Sequence, residues 1–381
     1  MLYVLLALFL LISTLGTKYS FCINGSRKAG KVLNSFLIIP CLLFLIIYSG
    51  GILDIPDYNV YNNIYNYSSN GIWTKDIGFG ALVFALRKIG LSAYQCRLMY
   101  AVIGITVLML SVRKFLDRKG QYLFLILYFV YPYFLDVIQV RNFLAMVFMT
   151  LAVSFLLDNT KKNTFLFGVF MLVSASLQKT LLFYIPFILF YKADKRKATK
   201  SVLIIAVTLS ALIGLNKNFV SDLANFFLLN FSEKLSGSAS FFTVNTRYGW
   251  LYMWTISFFN LAILYYIKKK SSNQLSSGNI KIVGIVFWIN IYSLIALPLY
   301  VMDTNFFRIY RDLQPLNLIA WITFFRAACL KHIRINKRSM ILLIITILLT
   351  ILYSVYVTMI IENLLQFFIQ GFNNNWIVGG I

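Results

Sequence analysis

Apolar residues run along this chain in blocks rather than in stripes. Such blocks fall near 1–16, 34–51, 94–112, 120–138, 142–157, 164–178, 180–191, 201–216, 250–267, 282–302, 312–328 and 339–361. A helix crosses the hydrocarbon core of a bilayer with about 20 apolar residues, and inside lipid every backbone amide must be satisfied within its own segment. The pattern therefore predicts an all-α, polytopic membrane protein of about twelve transmembrane helices, in one transmembrane domain spanning 1–381. The blocks at 164–178 and 180–191 are short and read as a broken or re-entrant pair. The first block, MLYVLLALFLLISTLG, has no basic leader and no small-x-small cleavage site, so it is expected to stay as a helix. No internal repeat is visible, which gives an inverted-repeat transporter no direct support.

The polar breaks between blocks set an orientation. Six alternate breaks, 17–33, 113–119, 158–163, 192–200, 268–281 and 326–338, carry most of the 35 lysines and arginines and, of the acids, only Asp117, Asp158 and Asp194. Loops of that kind stay in the cytoplasm. Both termini and the two long segments 52–93 and 217–249 then lie outside, rich in Asn, Ser, Gly and aromatic residues. The inner loops are too short for a catalytic domain, so any chemistry is expected at the outer face. The location expected is a membrane crossed many times.

Composition sharpens this in two ways. The chain is 60% hydrophobic and 12% charged over 381 residues, which removes a soluble multidomain protein from consideration. Its net charge of +23 suggests nucleic acid at first sight, but the basic residues sit in short clusters between apolar blocks, as orientation signals do. No nucleic-acid partner is expected. The four cysteines are scattered without metal-ligand spacing, and no phosphate-cradling glycine loop occurs, so neither a metal nor a cofactor is implied.

Orientation leaves eleven basic residues on the outer side without a reason to be there. They are Lys75, Arg87, Lys88, Arg97, Arg141, Lys179, Lys217, Lys234, Arg247, Arg308 and Arg311. Arg97, Arg141, Lys179, Arg308 and Arg311 stand at or inside helix ends, where an ionisable group is costly and by default functional. Each taken alone has another reading, a side chain snorkelling to headgroups or paired with an acid. Taken together they suit an anion, and arginine suits phosphate in particular.

Three stretches carry this further. In YPYFLDVIQVRNFLAM, Asp136 and Arg141 interrupt a long apolar region. They are five apart, too far round one helix to face each other. They read as a tight outer turn with Arg141 opening the next helix toward the bundle, or as a structural salt bridge. In DIPDYNVYNNIYNYSSNGIW, Asp54 and Asp57 precede Tyr58, Tyr61 and Tyr65 at helical spacing. Asp57 is an N-cap candidate, and tyrosine faces beside carboxylates and amides suit sugar rings, although an interfacial aromatic belt has the same look. The segment after it, DIGFGALVFALRKIGLS, reads as an amphipathic piece on the outer surface. In MDTNFFRIYRDLQP, Arg308 and Arg311 share a helix face beside Asp303, Tyr310 and Asp312. That face suits a diphosphate, or closes on itself as a neutral network.

Taken in order, DYNVYNNIY, IGFGALVFALRKIGLS, RNFLAMVFMTLAVSFLL, LQKTLLFYIPFILF and FFRIYRDLQ resemble the EpsG-type, Wzy-like polysaccharide polymerases of bacterial envelopes. The resemblance covers about two thirds of the chain. It implies polymerisation of oligosaccharide repeats on undecaprenyl diphosphate at the outer face. Donor and acceptor would both be lipid-linked repeats at the bilayer, with a chain-length regulator as a further candidate partner. It also implies a distant GT-C-like kinship, whose members use an acid of the first outer loop, the position of Asp57. Relatives carry a histidine in a His-Lys-Thr-like setting where this chain has Gln178, Lys179 and Thr180. His332 falls on the cytoplasmic side and cannot replace it. The expected base is therefore Asp57, with Asp54 or Asp136 next. The expected catalytic pair is Asp57 and Arg141. Asp54, Tyr58, Tyr61, Arg97, Asp136, Gln178, Lys179, Arg247, Arg308, Tyr310 and Arg311 are expected to bind substrate. The alternatives are a flippase for the same lipid-linked oligosaccharide and an O-antigen ligase.

Overall fold

A computed structural model describes residues 2–22, 27–53, 55–71, 74, 76–158, 160–215, 249–271, 275–303, 306–330, 337–356 and 365–379. Asp54, Lys75, Arg247 and His332, and nearly all of the loop 217–249, lie outside the described residues. The described chain is mostly helical, and its β pairing among the described residues is an isolated bridge between Ile52 and Asn375. Its helices are α1 (Leu2–Cys22), α2 (Arg27–Gly51), α3 (Tyr58–Tyr67), α4 (Ile77–Lys88), α5 (Ala93–Phe115), α6 (Arg118–Val130), α7 (Tyr133–Ile138), α8 (Val140–Ser154) and α9 (Lys161–Leu177). A 3-10 segment, Lys179–Tyr184, leads to α10 (Phe187–Lys192), α11 (Lys195–Leu215), α12 (Gly249–Ser271) and α13 (Ser277–Ser293). A second, Leu294–Val301, leads to α14 (Phe307–Arg311), α15 (Gln314–Cys329), α16 (Lys337–Val355), α17 (Leu365–Asn373) and α18 (Trp376–Gly379).

The fold is the all-α, multi-helix membrane protein that the apolar blocks predict. Among the described residues six helical segments are long and apolar enough to cross a bilayer: Ala93–Phe115, Val140–Leu157, Lys195–Gly214, Gly249–Lys270, Ser277–Val301 and Arg338–Val355. Leu2–Leu15 and Ile38–Gly51 are shorter apolar stretches. The other four predicted spans fall on shorter or interrupted helices. The block 120–138 is cut at Tyr131–Pro132, where the proline has no amide hydrogen to continue the ladder. The pair 164–178 and 180–191 is one α-helix followed by a 3-10 segment and a six-residue helix, which is the broken arrangement the sequence predicts there. The 312–328 block forms the 16-residue α15.

Two helices lie at the centre. Nearly all of α8 is buried, against α5 and α9, and α15 is buried continuously from Gln314 to Phe324, against α6, α12 and α13. In contrast, α11 and α16 expose Ile204, Val207, Leu342, Leu349 and Leu352, the character of helices that face hydrocarbon. Helix starts follow local polar signals. Ser92 and Gln95 form a capping box for α5, and Asp117, Thr160 and Ser276 accept amide hydrogen bonds at the starts of α6, α9 and α13.

The α5–α8 crossing depends on one glycine. A Cβ on Gly104 would lie 2.1 Å from the Phe143 ring. Gly104→Ala is expected to destabilise the chain in detergent by about 1–3 kcal/mol through overpacking, and Phe143→Leu in the same chain should recover part of that loss. Thermal unfolding of the single and double variants checks this. An unchanged midpoint for Gly104→Ala would contradict the close crossing.

Candidate functional site

The candidate site lies at the end of the bundle that carries α3 and α4. The chain reaches it from five directions: the loop before α3, the start of α4, the start of α8, the break after α9, and α14. Each is a place where a regular span stops, so polar backbone and side chains are available there.

Asp76, the residue before α4, is the hub. It is buried, and its Oδ2 accepts from Arg141 Nη1 at 2.8 Å, an ion pair in which the two side chains are 8% and 25% exposed. Its Oδ1 accepts from the Lys179 amide at 3.2 Å. One carboxylate thus ties α4 to the first turn of α8 and to the break after α9. The backbone amide of Arg141 in turn donates to the Tyr61 hydroxyl at 3.4 Å. Beside these contacts, Gln178 Oε1 and Thr180 Oγ1 are buried and have no hydrogen-bond partner among the described residues.

The structure places the other sequence-predicted residues as follows. Arg141 does open a helix at a tight turn, but its ion-pair partner is Asp76. Asp136 instead accepts from the Tyr128 hydroxyl at 2.7 Å and has Arg311 as its charged neighbour. The reason is local: Gln139 turns the chain between α7 and α8, so the two charges leave the turn on different helices. Asp57 occupies the N-cap position of α3, yet its side chain accepts no amide hydrogen bond. Its carboxylate is half-buried and makes no hydrogen bond among the described residues. Tyr310 is buried against Phe307, with ring centroids 5.8 Å apart, and no hydrogen bond to the arginines is present among the described residues.

On α14 the i, i+3 spacing places Arg308 and Arg311 together, as expected. Arg311 is buried and donates from Nη2 to Gln139 Oε1 at 2.8 Å, and it acts electrostatically on both Asp136 and Asp312. Asp312 accepts from Asn142 Nδ2 at 2.6 Å, which joins α14 to the core helix α8. Arg308 is different. It is half-buried and has no hydrogen-bond acceptor among the described residues. Burial pulls its guanidinium below the usual arginine range, Arg311 and Arg141 add to that, and Asp57 and Tyr61 oppose it. Arg141, Arg308, Arg311, Asp57 and Tyr61 therefore share one electrostatic neighbourhood. Burial likewise pushes the Tyr61 phenol up, against the pull of Arg141.

Next to this cluster is an aromatic cleft lined by Tyr58, Tyr61, Asn62, Tyr65, Tyr94 and Arg97, among others. Arg97 is buried at its floor. It donates from Nε to Ser49 O at 3.1 Å and from Nη2 to Val137 O at 3.2 Å, which holds the ends of α2 and α7 together. The tyrosines predicted to share a face of α3 do so. Helix α3 itself rests on α4: Tyr65 donates to Leu91 O at 2.8 Å, and Arg87 donates to the carbonyls of Tyr65 and Asn66.

Asp76 was absent from the sequence-based site. The available signal was an acid at the head of an amphipathic helix, on the side of the protein with unexplained arginines. Among the described residues no three His, Cys, Asp or Glu side chains form a metal-ligating group.

The ion pair is expected to hold the site together. Asp76→Asn or Arg141→Met alone should lower stability by about 2 kcal/mol or more, because each strands a partly buried partner, and the double replacement should cost less than the sum. A double-mutant cycle on detergent-solubilised protein measures the coupling. Strictly additive losses would show that the contact has no energetic weight.

Comparison with known proteins adds one finding. The model of the EpsG family matches residues 34–370. Among curated proteins and among solved structures, none matches the chain.

Proposed function

The chain belongs to the EpsG family, which gives it a polysaccharide-polymerase type of role in general, and from this premise we propose that it joins lipid-linked oligosaccharide repeats by glycosyl transfer at the outer leaflet of a bacterial inner membrane. The single observation that carries the reading is the state of Asp57 and Arg308. Most buried charges at this end have partners: Asp76 with Arg141, Arg311 with Gln139, Asp312 with Asn142, Asp136 with Tyr128. Asp57 and Arg308 act on each other but have no hydrogen-bond partner among the described residues. A cation without an acceptor beside a carboxylate without a donor is what a reaction needs when it frees an anion and takes up a proton.

In this mechanism the growing glycan hangs on one lipid diphosphate and the acceptor repeat on another. An acceptor hydroxyl attacks the anomeric carbon that carries the donor's diphosphate. The bond from that carbon to the diphosphate oxygen breaks, and the lipid diphosphate leaves with the electron pair. Arg308 meets the developing negative charge, with Arg141 and Arg311 behind it. Asp57 takes the hydroxyl proton as general base. The arginines supply the positive charge that a divalent ion supplies in other transferases, so the reaction proceeds without metal. The ring faces of Tyr58 and Tyr61 beside Asp57 meet the sugar, and Arg97, Gln178 and Lys179 are assigned to the substrate. From the sequence, Asp54 and Arg247 are assigned to the same substrate, and both termini to the outer side. Among the described residues the cluster around Asp76, Arg141, Arg308 and Arg311 gathers at one end of the bundle, apart from the Asp117–Arg326 pair; this supports an enzyme over a flippase, since a translocating path needs polar groups through the depth of the membrane. The undecaprenyl carrier and the GT-C-like kinship belong to this same proposal.

Complementation of a strain lacking the gene tests it. Asp57→Asn and Arg308→Ala should each insert normally and reduce polymer by about a hundredfold, with single lipid-linked repeats accumulating at the outer face. Arg308→Lys should recover only part of the activity, because a point charge replaces a two-pronged donor. Persistent polymer ladders in both of the first two variants would overturn the site. Repeats retained on the cytoplasmic side would identify a flippase.

A further inference from the structure

The segment after α16 is seated on the outer end of α2. Asn375 donates from Nδ2 to Ile47 O at 3.0 Å, and the Trp376 indole donates to Gly50 O at 3.1 Å. Ile52 and Asn375 form the isolated bridge, and Leu53 N donates to Asn374 O at 3.4 Å. The fit is close: a Cβ on Gly51 would lie 2.0 Å from Asn375 Oδ1. This seat fixes the indole of Trp376 next to Tyr94, with ring centroids 6.1 Å apart and planes at 43°. Tyr94 stacks in turn on Tyr58, at 6.4 Å and 23°. Three rings from three separate segments therefore form a row. Its first ring belongs to the residue that follows Asp57.

An interfacial belt anchors rings in headgroups one by one. Here the rings are held against each other and against backbone carbonyls. The indole nitrogen of Trp376 is already engaged by Gly50, so only its ring face is left for a ligand. Tyr94 is 37% exposed, and Tyr58 and Trp376 are half-buried. Tyr58 and Tyr94 also border a cavity of about 30 Å³ that reaches Asn62 and Arg97; it has room for about two waters, so a sugar would lie on the ring faces at its mouth and not inside it. Ring faces for the C–H side of a pyranose, with the Asn62 amide beside them for a hydroxyl, are the chemistry of a saccharide subsite.

We propose that Tyr58, Tyr94 and Trp376 form a saccharide track that holds the glycan beyond the sugar undergoing transfer. This rests on the polymerase reading above and adds to it a device for retaining the chain between transfers. A glycan that stays on the track is extended again before it leaves, so the track sets polymer length.

Tyr94→Leu and Trp376→Leu remove ring faces and keep apolar bulk. Tyr94→Phe and Trp376→Phe keep the rings and lose the hydroxyl or the indole hydrogen bond. Each variant is read twice. The first readout is the polymer length distribution on a gel. The second is the affinity of the purified chain in detergent for oligosaccharides released by mild acid from the lipid-linked pool of the producing strain. The leucine variants are expected to shorten the polymer and weaken oligosaccharide binding by about tenfold, and the phenylalanine variants to recover both. Wild-type length and affinity in the leucine variants would overturn the track. So would phenylalanine variants as impaired as the leucine ones, since the seat of the segment, not the ring faces, would then be the cause. If the wild-type chain makes no polymer at all, the polymerase reading fails by itself, and ring-dependent oligosaccharide binding still decides the track.

Discussion

Asp76 holds two things that would otherwise drift apart. Helix α4 lies beside the bundle and is attached mainly through the apolar residues Phe79, Val83 and Leu86. Helix α3 rests on α4 through Arg87 and Tyr65. Two polar contacts add to this apolar attachment: the Asp76 carboxylate binds Arg141 at the start of α8 and the amide of Lys179 at the break after α9, and the Tyr61 hydroxyl accepts from the Arg141 amide. Asp57, Tyr58 and Tyr61 are carried by α3. Their position relative to Arg141 and Arg308 therefore depends on the Asp76 ion pair together with the Tyr61 contact to the Arg141 amide. An ion pair of this kind adds little net stability against a well-packed apolar pair. Its value here is register, since it sets where the surface helices sit on the bundle.

The charged residues divide into two groups on the same physical grounds. Arg97, Arg141 and Arg311 each have an acceptor, and each acceptor belongs to a different segment: Ser49 and Val137, Asp76, and Gln139. These contacts join helix ends where regular hydrogen bonding stops. Arg308 joins nothing among the described residues. Two nearby guanidiniums act against its charge, and only the Asp57 carboxylate and the Tyr61 phenol favour it. A position that is electrostatically unfavourable without a ligand is well suited to an anion that arrives during the reaction. Preorganised positive charge of this sort is the largest contribution in many transfer enzymes.

Much of the fold was legible because lipid imposes a simple rule. Apolar blocks must be helices, so the helical architecture and the break near residue 178 follow from the sequence. The number of spans does not follow as directly. Pro132 cuts a block that reads as continuous, and α15 sits at the centre of the bundle although it has only 16 residues. The site was partly legible too. Arginines misplaced by the charge rule pointed to Arg141, Arg308 and Arg311, and helical spacing placed Tyr58, Tyr61 and Tyr65 on one cleft. Neither Asp76 nor its contact with Arg141 is legible in the spacing, because that contact spans a long sequence separation. Arg141 and Asp76 are 65 residues apart. Spacing along a chain identifies neighbours on one helix, and it gives no access to which helix ends meet.

The central claim is that bond formation and release of lipid diphosphate occur together on this chain. The most direct measurement uses the purified wild-type protein in proteoliposomes, supplied with diphosphate-linked repeats on the side where the site is exposed and with a metal chelator present. New glycosidic bonds and freed lipid diphosphate are counted in the same sample. One diphosphate released for each bond formed, in the presence of chelator, is the predicted result. Repeats that cross the bilayer unchanged, with neither product appearing, would contradict it.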